Sequence, residues 1–152
     1  MSDSDLRPMN PRVESESPIH QTIVDGDTAT VSSYLTEGGS PNLTDRYDCE
    51  LIYTAVKYDR LEIAEMLLAA GGCIDRRSRF RGDAFGAACW NWNLRMIDFC
   101  ITAGVDINAT HEGQINLDSI AGQKEVVQDD SLRRWQEAYD RLVELGAKRS
   151  NE

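Results

Sequence analysis

The segment of residues 75–83 holds the side chains best suited to molecular recognition in this chain of 152 residues. Four arginines and one aromatic residue fall within it: Arg76, Arg77, Arg79, Phe80 and Arg81. A guanidinium group presents planar, paired donors, which suits the recognition of a carboxylate or a phosphate. The segment therefore predicts a binding loop. The alternative is a solvated loop whose arginines only pair with Asp45, Asp48 and Asp83.

No set of residues in the sequence predicts catalytic chemistry. The chain has two histidines, and His111 lies beside Glu112 without a cysteine or serine placed to use it. There is no phosphate-binding loop and no metal-ligand cluster in the sequence. A zinc site built from Cys49, Cys73 and His111 would need three loops at uneven spacing. We therefore predict a protein that is not an enzyme and binds no cofactor.

The composition limits the classes of partner. The formal net charge is −10 at pH 7, which argues against nucleic acid and anionic membranes because both require a positive field. The charge favours one basic protein partner, with simple solubility as the alternative. No stretch approaches the roughly 20 apolar residues of a membrane span, and the N-terminus lacks the apolar core of a secretion signal. With four cysteines interpreted as reduced thiols, we predict a cytoplasmic protein that is monomeric when free.

A period of 33 residues organises most of the chain. The segments 18–42, 51–75 and 84–108 align without a gap, and Gly38, Gly71 and Gly104 share one column of that alignment. A fixed period of this length is typical of a solenoid, in which each unit buries its apolar face against its neighbours. Each unit is predicted to contain a helix, a tight turn, a second helix and a glycine that ends it. The residues predicted to form the buried face of these helices are Ile52, Ala55, Val56, Ile63, Ala64, Leu67, Leu68, Cys89 and Cys100.

These features resemble the ankyrin repeat family. Pro18-Ile19-His20, preceded by Ser17, matches the family's Thr-Pro-Leu-His helix start, and residues 67–72 match its Leu-Leu-x-x-Gly-Ala. The resemblance covers roughly residues 17–148. It implies an all-α ankyrin-repeat solenoid of about four helix pairs with protruding loops. It also implies that His20 hydrogen-bonds the backbone between repeats.

The expected domain organisation follows from the same alignment. Residues 1–16 are predicted to be a disordered acidic tail, and residues 17–150 an ankyrin repeat domain. The expected repeats span about 17–45, 46–78, 79–111 and 112–148. The last repeat is atypical: it carries about ten inserted residues near 122–131, and its final helix closes the array. One apolar face is predicted for that helix, made by Leu132, Trp135, Tyr139 and Leu142.

The resemblance also implies where a partner binds. Ankyrin proteins generally bind through their loop tips and the exposed face of the first helices, which places the 75–83 loop on that edge. Trp90 falls in a column that faces outwards in the family, so we expect Trp90 to contact a partner and Trp92 to pack internally. The alternative is that one indole folds over the neighbouring turn. Further residues are predicted to extend this surface: Tyr47, Tyr53, Lys57, Tyr58, Asn91, His111 and Glu112.

The sequence therefore predicts a protein-binding module. Short acidic ankyrin proteins resemble the immunity proteins with which some bacteria neutralise a toxin, so an inhibitor or sequestering role is the preferred interpretation. No second domain is recognised in the sequence, so we expect an inhibitor or sequestering role in preference to that of a scaffold. The alternative is a regulatory adaptor in a signalling or transcription complex. A basic partner would instead use acidic residues such as Asp45, Asp48, Asp59 and Glu62.

Overall fold

The computed structural model describes residues 17–78, 82–108, 110–111, 114–115, 120–124, 127 and 130–148. The predicted acidic tail of residues 1–16 lies outside this part of the chain. For residues 110–111, 114–115 and 130 the backbone alone is described. The helices are α1 (Pro18–Asp25), α2 (Thr28–Thr36), α3 (Leu51–Lys57), α4 (Leu61–Ala69), α5 (Ala84–Trp90), α6 (Leu94–Thr102) and α7 (Asp130–Glu144). The described part of the chain is essentially all-helical.

The 33-residue period of the sequence recurs in the positions of the helices. The first helix of each pair begins at Pro18, Leu51 and Ala84, and the second begins 10 residues later at Thr28, Leu61 and Leu94. Helix α3 packs against α1 and α5, while α4 packs against α2 and α6. The first helices therefore form one layer and the second helices another. Helix α7 packs against α6 and extends the second layer.

One departure from the expected helical content is a short hairpin after α6. Strands β1 (Thr110–His111) and β2 (Gln114–Ile115) pair antiparallel, with Thr110 opposite Ile115 and His111 opposite Gln114. Isolated bridges also join Thr44 to Glu50 and Ser78 to Gly82 in the two preceding loops. A loop that leaves the helical layers must satisfy its own backbone groups, and these pairings do so.

The ends of the second helices share one backbone conformation. Gly71, after α4, has φ 99°, and Gly146, after α7, has φ 101°. Only glycine adopts this left-handed region without a Cβ penalty. The Gly72 N–H then donates to the Leu67 carbonyl at 2.8 Å, and the Ala147 N–H donates to the Leu142 carbonyl at 2.9 Å. The last helix therefore ends in the same way as the regular ones.

The core lies between the two helical layers and continues under α7. Predicted core residues such as Ile52, Leu67 and Cys100 are 0–1% exposed. Leu68 is only half-buried, which corrects the prediction that it lies in the core beside Leu67. Its Cα lies about 100° around the helix from that of Leu67, so both side chains cannot point at the same neighbour.

The apolar face of α7 is shorter than predicted. Trp135 is 3% exposed, donates its Nε1–H to the Ile120 carbonyl at 2.8 Å, and stacks on Tyr139 with ring centroids 5.2 Å apart. Leu142 is fully buried. Leu132 is 43% exposed, which corrects its assignment to this face, because it lies one turn before Trp135 at the start of the helix. Among the described residues, no helix combines the length and apolar character that a bilayer span requires.

The expected contact of His20 is confirmed. Its Nε2 lies 2.8 Å from the carbonyl oxygen of Cys49, and its Nδ1 lies 2.7 Å from the Ser17 hydroxyl. His20 is 3% exposed, and its burial lowers the pKa of the imidazole below the ordinary value. The neutral ring therefore links the start of α1 to the loop that precedes α3, which helps to fix the distance between the first two helix pairs.

Candidate functional site

The ends of α3 and α5 form an exposed row on the first helical layer. Lys57 ends α3 and Trp90 ends α5, 33 residues further along the chain, and both side chains are exposed. The indole of Trp90 is 63% exposed, the highest fraction among the exposed large apolar side chains described. The Asn91 side-chain amide donates to the Lys57 carbonyl at 3.3 Å and connects the two helix ends. Trp90 is therefore presented to solvent on a fixed backbone.

Trp92 occupies the turn between α5 and α6 in an uncommon conformation. Its φ is 52°, and the equivalent turns hold Gly26 with φ 77° and Asp59 with φ 61°. A bulky side chain rarely adopts this left-handed region, so other contacts must hold it. The Trp92 Nε1–H donates to Gln123 Oε1 at 2.5 Å, and the Arg134 guanidinium lies 6.0 Å from the ring centroid. Trp92 is half-buried and packs against the core, in agreement with the packing role predicted for it.

An open groove of about 500 Å³ lies between this turn and α7. The residues that line it come from the turn after α5, from the segment before α7 and from the first turns of α7: Trp90, Asn91, Trp92, Gln123, Val127, Ser131 and Arg134. A second depression of about 310 Å³ shares Trp92 and Arg134 with it. The two depressions therefore meet at the contact between Trp92 and Arg134.

The loop of residues 75–83, called the arginine loop below, makes structural contacts through Arg76. Arg76 Nη2 lies 2.6 Å from Asp48 Oδ1, and Arg76 Nη1 donates to the Asp48 carbonyl at 2.8 Å. The hydrogen bond to the Asp48 carboxylate raises the pKa of Arg76 above its ordinary value. Arg76 therefore fits the alternative of a solvated loop whose arginines pair with nearby aspartates, since its side chain joins two neighbouring loops. Arg77 is exposed, while Arg79, Phe80 and Arg81 lie outside the described residues.

The predicted surface divides into two regions. The arginine loop lies before α5, and Trp90 is the last residue of that helix. The seven residues of α5 therefore separate the loop from Trp90 by about 10 Å along the helix axis. Tyr58 follows Lys57 at the end of α3, with Lys57 Nζ 5.6 Å from the centroid of its ring. Tyr47 is half-buried on the loop side, beneath the guanidinium of Arg46 at 5.8 Å.

Some predicted site residues are unsuitable or undescribed. Tyr53 is 8% exposed in the first turn of α3, and this burial corrects its assignment to the binding surface. His111 lies in β1, where its backbone alone is described, and Glu112 lies outside the described residues.

A buried carboxyl group lies beneath the loops. Glu50 precedes α3, is 2% exposed, and makes no side-chain bond to the helix that it caps. Its Oε2 has no hydrogen-bond partner. Burial raises the pKa of Glu50 to about 7, with the nearby Asp75 and Asp48 adding to the shift and Arg76 opposing it. The corresponding residue before α5, Asp83, instead accepts from the Gly86 N–H at 2.7 Å.

Several groove residues were missed at the level of sequence. Gln123, Val127, Ser131 and Arg134 belong to the insertion or to the first turns of the final helix, which the sequence assigns only to closing the array. Arg134 lies in the first turns of α7 and contacts Asn91 and Trp92 in the turn after α5. Because it contacts a turn 42 or more residues earlier, no local pattern could have indicated that pairing.

Comparison with known proteins gives one partial similarity. The chain is 29% identical to Inversin of the zebrafish Danio rerio over 101 residues. That region covers 66% of this chain and 9% of Inversin. No protein-family model matches the chain. The similarity is compatible with a helical repeat module that binds other proteins.

Proposed function

We propose that this chain is a non-catalytic protein-binding module of the ankyrin-repeat type. The observation that carries the proposal is the indole of Trp90, 63% exposed at the end of α5 on a rigid helical layer. Exposed tryptophan dominates many protein interfaces because it removes a large apolar area from water on binding. Lys57 and Asn91 surround it with polar groups, which is typical of an interface rim.

The ankyrin assignment rests on the repetition of structure. Three helix pairs begin at 33-residue intervals, and His20 hydrogen-bonds the backbone of the next unit as the sequence resemblance implies. Inversin, to which the chain is similar in part, is an ankyrin-repeat protein. We extend the repeat domain over residues 17–150, with α7 as the second helix of an atypical, closing fourth repeat.

The specific role that we propose is sequestration of one protein partner in the cytoplasm. Such a protein acts by covering a functional surface, and a bacterial immunity protein that neutralises its toxin is the preferred example. The net charge of −10 supports this role, because a toxin that acts on nucleic acid is commonly basic and would be attracted over a distance. That long-range attraction and the contacts at Trp90 contribute separately to binding: the charge speeds the encounter, and the indole adds contacts in the complex.

The test is affinity capture with the full chain and two variants. Trp90→Ala removes the exposed indole, and Val143→Ala is the matched control because Val143 is an exposed apolar residue on α7, 48% accessible. A partner that Val143→Ala retains and Trp90→Ala loses supports the proposal. An inhibited partner supports sequestration, and a partner that stays active within a larger assembly supports the adaptor alternative. Equal capture by both variants contradicts the assignment of Trp90.

A further inference from the structure

The groove beside Trp90 is lined on one side by the segment that precedes α7. In the first pair, α1 and α2 are separated by Gly26 and Asp27 alone. The segment before α7 is longer, and it places Gln123 and Val127 against the turn that follows α5. Both side chains are 9% exposed, so they form the floor of the groove rather than a projecting loop. The segment before α7, where the sequence predicts an insertion, therefore supplies the floor of the groove.

The walls of the groove are aromatic on one side. Trp90 is 63% exposed, while Trp92 is half-buried and fixed by its bond to Gln123. An indole held in place loses little conformational entropy when a ligand packs against it. The volume of about 500 Å³ lies within the range of ligand pockets and accommodates a few side chains of a peptide.

The charge of the groove is opposite to that of the whole chain. Among the described residues that line it, Arg134 is the charged one, in a protein of net charge −10. Its Nη2 donates to the Asn91 carbonyl at 3.2 Å, and its guanidinium lies over the Trp92 ring. A guanidinium carries five N–H donors, so this bond leaves donors for a ligand. Contact with the indole also orients the group before any ligand arrives.

We propose that this groove binds an acidic, apolar segment of the protein partner. An aspartate or glutamate of that segment pairs with Arg134, and a neighbouring aromatic or aliphatic side chain packs against Trp90 and Trp92. Arginine and carboxylate form paired, charge-assisted hydrogen bonds, which fix the orientation of the segment as well as its position. This inference rests on the proposed function and adds the chemistry of the partner.

The experiment uses a displayed library of random dodecapeptides, selected on the full 152-residue chain. Peptides that combine Asp or Glu with an aromatic or aliphatic residue are expected to be enriched. Selected peptides are then synthesised and titrated against Trp90→Ala and Arg134→Ala, each of which should weaken binding about tenfold or more. Arg133→Ala is the matched control, because Arg133 is an exposed neighbour that pairs with Glu137 at 3.4 Å outside the groove.

A charge exchange gives the sharper outcome. Arg134→Glu should lose the acidic peptides and recover at least part of the affinity when their carboxylate is replaced by lysine. Unchanged thermal midpoints would show that each variant is folded. Enrichment of basic peptides, affinities that Arg134→Ala leaves unchanged, or no enrichment above background would overturn the groove proposal. If acid-free peptides bind through Trp90 alone, the proposed function stands and the acidic partner segment is wrong.

Discussion

Asn108 and Gly146 are joined across 38 residues by a hydrogen bond of 3.1 Å from the Asn108 amide to the Gly146 carbonyl. Asn108 Oδ1 also accepts from the Lys148 N–H at 2.8 Å. Asn42 makes the same two bonds, donating to the Gly71 carbonyl at 3.4 Å and accepting from the Cys73 N–H at 2.9 Å, but across 29 and 31 residues. The end of α7 therefore occupies the place of a regular second helix, despite the additional residues before it.

Replacing Asn108 tests this connection. Asn108→Ala should lower the free energy of unfolding by about 1–2 kcal/mol, since two hydrogen bonds to the backbone are lost at a partly exposed site. Asn42→Ala should have a similar effect, measured for both by urea denaturation. If Asn42→Ala is destabilising and Asn108→Ala is neutral, the end of α7 is not held to the array by this contact.

The two neighbouring leucines of α4 should differ in their contribution to stability. Leu67 is fully buried, so Leu67→Ala should cost roughly 2–5 kcal/mol through lost burial and the cavity left behind. Leu68 is half-buried, and Leu68→Ala should cost clearly less. Chemical denaturation of both variants measures the difference. Equal costs would show that Leu68 lies deeper than its exposure indicates.

The tryptophans of α5 and α7 should behave in opposite ways. Trp90→Ala should change the free energy of unfolding by no more than about 0.5 kcal/mol, because most of the indole is already in water. Trp135→Ala should cost about 3–5 kcal/mol, since the ring is 3% exposed and donates to Ile120. Thermal denaturation compares the two. A large loss at Trp90 would indicate a structural role in place of a binding role.

The buried Glu50 predicts a dependence of stability on pH. Its pKa rises from 4.5 to about 7 in the folded protein, so folding favours the protonated carboxyl group. This contribution is fully present below about pH 4.5 and is lost as the pH rises through 7. The shift corresponds to about 3 kcal/mol between pH 4 and pH 8. Other groups also titrate in this range, so a variant is needed to isolate the effect.

Glu50→Gln supplies that comparison. The amide remains neutral, so the variant should be more stable than the parent at pH 8 and should differ little from it at pH 4. The free energies of unfolding of both proteins, measured by denaturant at several pH values, give the difference directly. A constant difference across the range would mean that Glu50 does not change its protonation on folding.

The sequence predicts much of the fold because the apolar residues that become buried recur at a fixed period along it. Apolar columns spaced by 33 residues can be buried only when successive helix pairs stack, and the helix starts at Pro18, Leu51 and Ala84 follow that spacing. The resemblance to ankyrin repeats also predicts the contact of His20 with the next unit. The periodic pattern fails where adjacent positions cannot both face the core, as with Leu68. It also fails where a residue lies at the start of a helix and outside the core, as with Leu132.

The sequence by itself determined the paired helices and their spacing, because these depend on local periodicity and residue type, and its resemblance to ankyrin repeats indicated that Trp90 is exposed. The tertiary structure alone decided that Arg76 is engaged with Asp48, that Glu50 is desolvated, and that Arg134 meets Trp92. Each of these contacts joins or encloses groups far apart in the chain. Their energies depend on distances and exposure that no local pattern encodes, and that only the stacking of the helix pairs sets.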